Sequence, residues 1–290
     1  MNRLIPYYIA LLAACFCCLA SSAQESFRQR RFSVNDGLSQ GIVQDILQDR
    51  NGYIWFSTWN GLNKYDGYKF RSFKSHPGED AALSSNRIVE LRETASGDIW
   101  CRTQERRAYL FDSQTETFVD VLKPYMLENP SLHIDKIVCL ENGVTWLLSF
   151  GSAICFRVDE NRLGTEEAVR MYDEDTKGWH AGRVTQVKLD TDGDEWVLTD
   201  LGVNIVGKKR MESDFPFQYM TEKGGHTWLI SSDGQFARYD EAGSVHFMEQ
   251  AGGVKRVHQM KAISDTLLTV GTDAGLWLVH IPEGTMERVD

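Results

Sequence analysis

A tryptophan that returns at near-regular intervals constrains this chain more than any other feature of its sequence. In the first copy, Trp55 follows the polar turn Asp49-Arg50-Asn51-Gly52 and precedes Ser57-Thr58 and Gly61. The equivalent positions along the chain are Trp55, Trp100, Trp146, Trp196, Trp228 and Thr269, the last in a copy that lacks the tryptophan. Their spacings of 45, 46, 50, 32 and 41 residues bracket the length of a propeller blade.

Each copy contains four short runs with β propensity, separated by turn residues. In the first copy these runs are Ile42–Gln48, Tyr53–Ser57, Leu62–Tyr65 and Phe70–Phe73. Four antiparallel strands form one blade, and a blade buries both of its faces only by stacking on its neighbours. The sequence therefore predicts an all-β fold over residues 24–290, a β-propeller of four-stranded antiparallel blades. The six repeats correspond either to a six-bladed ring or to an incomplete seven-bladed one.

The recurring tryptophans are predicted to be structural anchors of the blades. They lie on the second strand of each copy, where a large flat side chain fills the wedge between two blades. The turn before them requires a positive φ angle at glycine and a side-chain cap from Asp, Asn or Ser.

Residues 1–23 are predicted to be a signal peptide that is removed on export to the periplasm. Arg3 precedes an apolar run over residues 4–20, and Ser21-Ser22-Ala23 places small residues at the cleavage site. The two alternatives are an uncleaved membrane anchor and a lipoprotein signal at Cys15.

Composition places the remainder of the chain among soluble globular proteins, with 42% hydrophobic and 25% charged residues. A net charge of −10 argues against nucleic acid as a partner. Outside the signal peptide the chain has three cysteines, Cys101, Cys139 and Cys155. We expect them to be small buried residues in strands rather than a disulfide framework.

The first repeat resembles a known family. Asp36-Gly37-Leu38-Ser39, the turn from Asp49 to Trp55, and Ser57-Thr58-x-x-Gly61-Leu62-Asn63-Lys64-Tyr65-Asp66 are similar to the two-component regulator propeller repeat. Copies two to five resemble it in their Trp, Gly and strand pattern. The resemblance implies the exported sensor half of a hybrid two-component system from glycan-degrading Gram-negative bacteria.

Members of this family usually carry two seven-bladed propellers, an immunoglobulin-like domain, a transmembrane helix, a histidine kinase, a receiver and a DNA-binding domain. The resemblance here is confined to the propeller, so we expect a truncated first propeller without kinase or DNA-binding activity. Phe27–Val34 is predicted to form a strand ahead of the first blade, and Glu283–Val289 the outer strand of the sixth.

The search for catalytic motifs is negative. The sequence has no G-x-S-x-G, H-E-x-x-H, G-x-G-x-x-G or Walker loop, and its seven histidines lack metal-ligand spacing. Asp190-Thr191-Asp192-Gly193-Asp194-Glu195 offers alternating oxygen ligands for Ca²⁺, but it departs from EF-hand spacing and occupies the turn of the fourth repeat. We expect a solvated turn there, with no metal, no cofactor and no enzyme activity.

Candidate ligand-binding residues lie in loops that a propeller places on one face. These are the loops between second and third strands and the loops between blades. The candidates there are Trp59, Asn60, Arg106, Arg107, Trp179 and His180. An aromatic ring beside Asn or Arg donors can pack on the face of a sugar and bind its hydroxyls. A pair of arginines can bind an acidic sugar. The alternatives are tryptophans packed over a blade edge and a solvated arginine turn.

These features predict a periplasmic sensor propeller that responds to glycan-derived oligosaccharides, directly or through a homodimer formed by propeller faces. The signal would pass to a kinase module of the kind present in full-length relatives. The alternative functions are a propeller-fold glycan-active enzyme, either hydrolase or lyase, and a protein-interaction scaffold.

Overall fold

Six antiparallel sheets follow one another along the chain in the computed structural model. The structure describes residues 29–75, 83–207, 209, 211, 215–240, 242–248, 254, 256–281 and 285–289. Residues 1–33 and Val34–Asp290 are separate units, and all six sheets belong to the second. The predicted signal peptide lies outside the described residues.

Consecutive strands pair with each other within each sheet, so each sheet is an antiparallel meander. The first sheet contains β1 Val43–Gln48, β2 Ile54–Thr58, β3 Gly61–Tyr65 and β4 Phe70–Phe73. The second contains β5 Ile88–Glu93, β6 Ile99–Thr103, β7 Ala108–Asp112 and β8 Thr117–Val119. The third contains β9 Lys136–Cys139, β10 Val144–Ser149, β11 Ile154–Asp159 and β12 Val169–Tyr172.

The later sheets repeat this order with one exception. The fourth sheet contains β13 Val184–Leu189, β14 Glu195–Thr199 and β15 Val203–Val206. The fifth contains β16 Phe217–Lys223, β17 His226–Ser231, β18 Phe236–Tyr239 and β19 Val245–Phe247. The sixth contains β20 Val257–Ser264, β21 Leu267–Thr272, β22 Gly275–His280 and β23 Thr285–Arg288.

Helical structure is limited to short connections. The α-helix α1 Lys123–Glu128 lies between the second and third sheets, and 3₁₀ turns occur at Val34–Asp36, Glu160–Arg162 and Glu166–Ala168. Among the described residues, no helix has the length and apolar character needed to span a bilayer.

Each pair of consecutive sheets encloses its own apolar core around the tryptophan of the earlier sheet. Trp55, Trp100, Trp146, Trp196 and Trp228 are each at most 3% exposed. The clusters that contain them also include, from the following sheet and in the same order, Leu91, Ile137, Val197, Met220 and Met260. These tryptophans thus lie in apolar clusters shared by consecutive sheets, where the sequence predicts a wedge.

The turns before the tryptophans also follow the sequence prediction. Gly52 and Gly193 have φ angles of 84° and 86°, which residues with a Cβ rarely adopt. In the first turn, Asp49 Oδ1 accepts hydrogen bonds from the backbone N–H groups of Asn51 and Tyr53, at 2.9 and 3.0 Å. The side-chain cap and the glycine together close the hairpin that presents Trp55 to the core.

The predicted all-β propeller is confirmed, and the strands of the first repeat begin and end within one residue of their predicted positions. Two details differ. Residues 29–33, the described part of the predicted N-terminal strand before Val34, form no strand. The fourth sheet has three strands in the described part of the chain.

The three cysteines in the described part of the chain are free thiols. Cys101 and Cys155 are buried, and Cys139 is partly buried. Burial raises the pKa of Cys139 and of Cys155 to about 12 and raises that of Cys101 further still. These thiols remain protonated at neutral pH and contribute apolar packing, as the sequence predicted.

Candidate functional site

The loops that were predicted to share one face lie side by side. The backbone N–H of Gly61, the first residue of β3, donates to the carbonyl of Asn86, which precedes the second sheet, at 2.8 Å. The N–H of Ile134, which precedes the third sheet, donates to the carbonyl of Arg106 at 2.8 Å. The hairpin loop of one sheet is thus joined to the chain segment that enters the next.

Trp59 and Asn60 lie on this face but take part in different contacts. The indole of Trp59 is 44% exposed, and the guanidinium carbon of Arg87 lies 5.6 Å from the ring centre. Asn60 Nδ2 donates to the carbonyl of Ser39 at 3.2 Å, which fastens the segment that precedes β1. Trp59 presents a surface for contact, whereas the Asn60 amide is used within the fold.

Arg106 and Arg107 are both engaged in contacts within the protein. The guanidinium of Arg106 donates to the carboxylate of Asp135, and the residue has a φ angle of 60°. Arg107 Nη2 donates to the carbonyl of Pro130 at 2.8 Å, next to α1. These contacts bind the second sheet to the connection that leads into the third.

Trp179 and His180 line a cavity of about 580 Å³ between the third and fourth sheets. One wall is the outer strand β12, and the opposite wall is β15 with Gly207. The lining residues are Arg170, Tyr172, Thr176, Lys177, Gly178, Trp179, His180, Val203, Asn204, Ile205, Val206, Gly207 and Met211. The other four sequence candidates, Trp59, Asn60, Arg106 and Arg107, are not among them.

An aromatic stack forms one side of this cavity. The ring centres of Trp179 and Tyr172 lie 4.2 Å apart, and the Trp179 ring is nearly parallel to the buried Trp146, with centres 6.0 Å apart. The guanidinium carbon of Arg170 lies 4.9 Å from the centre of the Tyr172 ring. The half-buried Trp179 therefore packs over the sheet edge and also borders the cavity.

The loop that carries Trp179 and His180 is held by hydrogen bonds to the fourth sheet. The backbone N–H of His180 donates to Asn204 Oδ1 at 2.7 Å, and Asn204 Nδ2 donates back to the His180 carbonyl at 3.2 Å. A Cβ on Gly202 would lie 2.5 Å from the imidazole of His180, so glycine is required there. The cavity wall is therefore fixed from two sides.

The charge of the lining is positive. The cationic side chains of Arg170 and Lys177 are exposed at the cavity, and His180 adds a half-buried imidazole. Burial raises the pKa of Tyr172, so its hydroxyl stays protonated at neutral pH. The Trp179-His180 pair is visible in the sequence, whereas Arg170 and Tyr172 join it only because β12 pairs with β11 and reaches the same edge.

The acidic run from Asp190 to Glu195 serves the fold. Asp190 Oδ2 accepts from the indole N–H of Trp196 at 2.9 Å and from Lys209 Nζ at 2.9 Å. Burial alone would raise the pKa of Asp190, but the bonds from Lys209 and Trp196 lower it below its ordinary value of 3.8. Within the described residues, no group of three or more His, Cys, Asp or Glu side chains is arranged to hold a metal ion.

Comparison with known proteins supports the resemblance seen in the sequence. Residues 37–60 match the family model described as two component regulator propeller. Histidine kinase P4 of Formosa agariphila is 40% identical to this chain over 70 residues, which are 24% of this chain and 5% of the kinase. The chain thus corresponds to a small part of that relative's length.

Solved structures with a similar fold share little sequence with this chain. The computationally designed Ika8 protein has a TM-score of 0.51 at 12% identity, covering 84% of this chain and 72% of that one. The extracellular domain of the putative one component system BT4673 from B. thetaiotaomicron has a TM-score of 0.49 at 18% identity, covering 91% and 38%. The likeness to the designed protein concerns the fold alone. The matched segment confirms the predicted family resemblance, and the chain is identified as carrying the two component regulator propeller repeat at residues 37–60.

Proposed function

We propose that this propeller is the extracytoplasmic sensory part of a two-component signalling system and that it recognises glycan-derived oligosaccharides. The observation that carries the proposal is the cavity beside Trp179, which lies on a scaffold that contains the regulator propeller repeat. Ligand pockets in proteins combine apolar and aromatic walls with a few fixed polar groups, and this cavity has both.

The walls suit a sugar in particular. Pyranose rings have apolar C–H faces that pack on aromatic rings, and their hydroxyls need donors and acceptors at the rim. The half-buried Trp179 supplies the aromatic surface, while Arg170 and Lys177 supply exposed donors in the same lining. We propose a role in recognition, and the described residues of the lining include no carboxylate that could act as a general acid or base.

The proposed transfer of the signal after ligand binding is based on the relative that this chain matches. Because the aligned protein is named a histidine kinase, we propose that ligand binding here is passed to a kinase module. A homodimer formed through propeller faces is the simplest way for a rigid sheet assembly to transmit such a signal. We propose that the leader predicted over residues 1–23 directs the propeller to the periplasm.

A thermal-shift screen tests this proposal. The purified protein is heated with a panel of neutral and acidic oligosaccharides, each in large excess. At a concentration a hundredfold above Kd, a ligand stabilises the folded state by about 2.7 kcal/mol, which raises the Tm of a domain of this size by roughly 5 °C or more. A well-folded protein whose Tm no oligosaccharide changes would overturn direct recognition.

A further inference from the structure

The lining of the Trp179 cavity has the opposite charge to the protein as a whole. The chain has a net charge of −10, yet among the described residues the charged side chains in the lining are Arg170 and Lys177. The carboxylates of Glu174 and Asp175 precede this part of the loop and lie outside the lining. A local cluster of one sign in a concave site attracts ligands of the other sign, even when the total charge of the protein opposes them.

These two cations differ from other arginines near the third sheet. Arg157 forms an ion pair with Glu195 at 2.7 Å, and Arg162 pairs with Glu167 at 2.5 Å. Within the described part of the chain, neither Arg170 nor Lys177 has a carboxylate within ion-pair distance. Their hydrogen-bond donors are therefore available to a ligand that enters the cavity.

The position of Arg170 is set by the aromatic stack. Its guanidinium lies against the Tyr172 ring, whose centre is 4.9 Å away, and Tyr172 in turn stacks on Trp179 at 4.2 Å. A guanidinium that rests on a ring keeps its planar edge of N–H donors free of that contact. The stack thus places a cation with fork geometry beside the aromatic surface that would receive a sugar ring.

We propose that the cavity selects an acidic oligosaccharide, one whose pyranose rings carry carboxylates. This inference rests on the proposed recognition of glycans and names the class of glycan. The two carboxylate oxygens of a uronate accept hydrogen bonds from the fork of Arg170, and Lys177 adds a second positive charge. The face of the sugar ring packs against Trp179.

The test is a calorimetric titration of the whole chain with trigalacturonate and with maltotriose, a neutral trisaccharide of the same length. Trigalacturonate is expected to bind at least about tenfold more tightly, and its affinity is expected to fall as NaCl is raised, because salt screens exposed charges. Arg170→Gln is expected to weaken trigalacturonate binding by about tenfold, the effect of losing one charge-assisted hydrogen bond at a partly exposed site. Lys177→Gln is expected to act in the same direction.

Two controls test whether the measured binding depends on the cavity residues and on the sugar ring. Lys69→Gln removes one exposed positive charge from the first sheet, far along the chain from the cavity, and is expected to leave the affinity unchanged. A short poly-glutamate peptide tests whether charge alone suffices, and it is expected to bind more weakly than trigalacturonate because it offers no ring face.

The outcomes separate this inference from the proposed function. If maltotriose binds as tightly as trigalacturonate and Arg170→Gln changes neither affinity, the acidic class is wrong while glycan recognition stands. If poly-glutamate matches trigalacturonate, the cavity is a general anion site and the inference is overturned. If no sugar in the wider panel binds to the folded protein, both the inference and the proposed function fail.

Discussion

In the first and fourth sheets, the indole N–H of the central tryptophan donates to an aspartate six positions earlier. The distances are 2.8 Å from Trp55 to Asp49 and 2.9 Å from Trp196 to Asp190. The same aspartates cap the turn that precedes the tryptophan. One carboxylate thus accepts from a buried donor and also shapes a hairpin. The acceptor matters because an indole N–H left without a partner in the core would lower the free energy of unfolding.

Asp49→Ala is expected to lower the free energy of unfolding by about 2–3 kcal/mol, because it leaves the Trp55 indole without an acceptor and removes the turn cap. Urea denaturation followed by tryptophan fluorescence measures the change. The matched control is Asp66→Ala, which removes an exposed aspartate that caps a turn through Tyr68 and Lys69 but bonds to no buried indole. Equal losses in the two variants would contradict the role of the indole bond.

The sequence reveals this arrangement in only some of the repeats. In the third sheet, Leu140 occupies the aspartate position, and the indole N–H of Trp146 instead donates to Glu195 of the fourth sheet at 2.8 Å. Glu195 also receives Arg157 of the third sheet at 2.7 Å. The spacing of Asp and Trp within a turn is visible along the chain. An acceptor carboxylate that comes from the next sheet, as Glu195 does, can be identified only when the stacking order of the sheets is known.

At the scale of the element, β15 differs from the other third strands in its pairing. The strand pairs with β14 on one side, and in the described part of the chain no strand pairs with its other side. The spacing of 32 residues between Trp196 and Trp228 is the shortest of the five and coincides with this departure. The short spacing is visible along the chain, whereas the position of β15 at the edge of the described sheet, beside the Trp179 cavity, is not.

Hydrogen exchange measured by mass spectrometry tests this difference between elements. Peptides that cover Val203–Val206 are expected to exchange roughly tenfold faster than peptides that cover Gly61–Tyr65, because outward-facing amides of an edge strand lack a backbone partner. Both segments are third strands, so they form a matched pair. Equal protection of the two would show that the outer side of β15 is covered.

At the scale of the whole molecule, residues at equivalent positions of the repeat differ in burial, depending on whether another sheet precedes theirs in the chain. Leu91, Ile137, Met220 and Met260 occupy one position on the inner strands of their sheets and are each at most 5% exposed. Ile46 occupies the same position on β1 and is 59% exposed. The side chain at this position packs on the preceding sheet in chain order, so the repeat pattern alone predicts the residue type and leaves its burial undetermined.

The same difference predicts unequal effects of truncating the side chain. Leu91→Ala is expected to lower the free energy of unfolding by about 2–4 kcal/mol, because it leaves a cavity next to Trp55 between the first and second sheets. Ile46→Ala is expected to cost less than about 1 kcal/mol, since most of that side chain already contacts solvent. Urea midpoints of the two variants, measured at equal m-values, give the comparison. A loss for Ile46→Ala as large as that for Leu91→Ala would mean that in solution the face of the first sheet around Ile46 is packed against another surface.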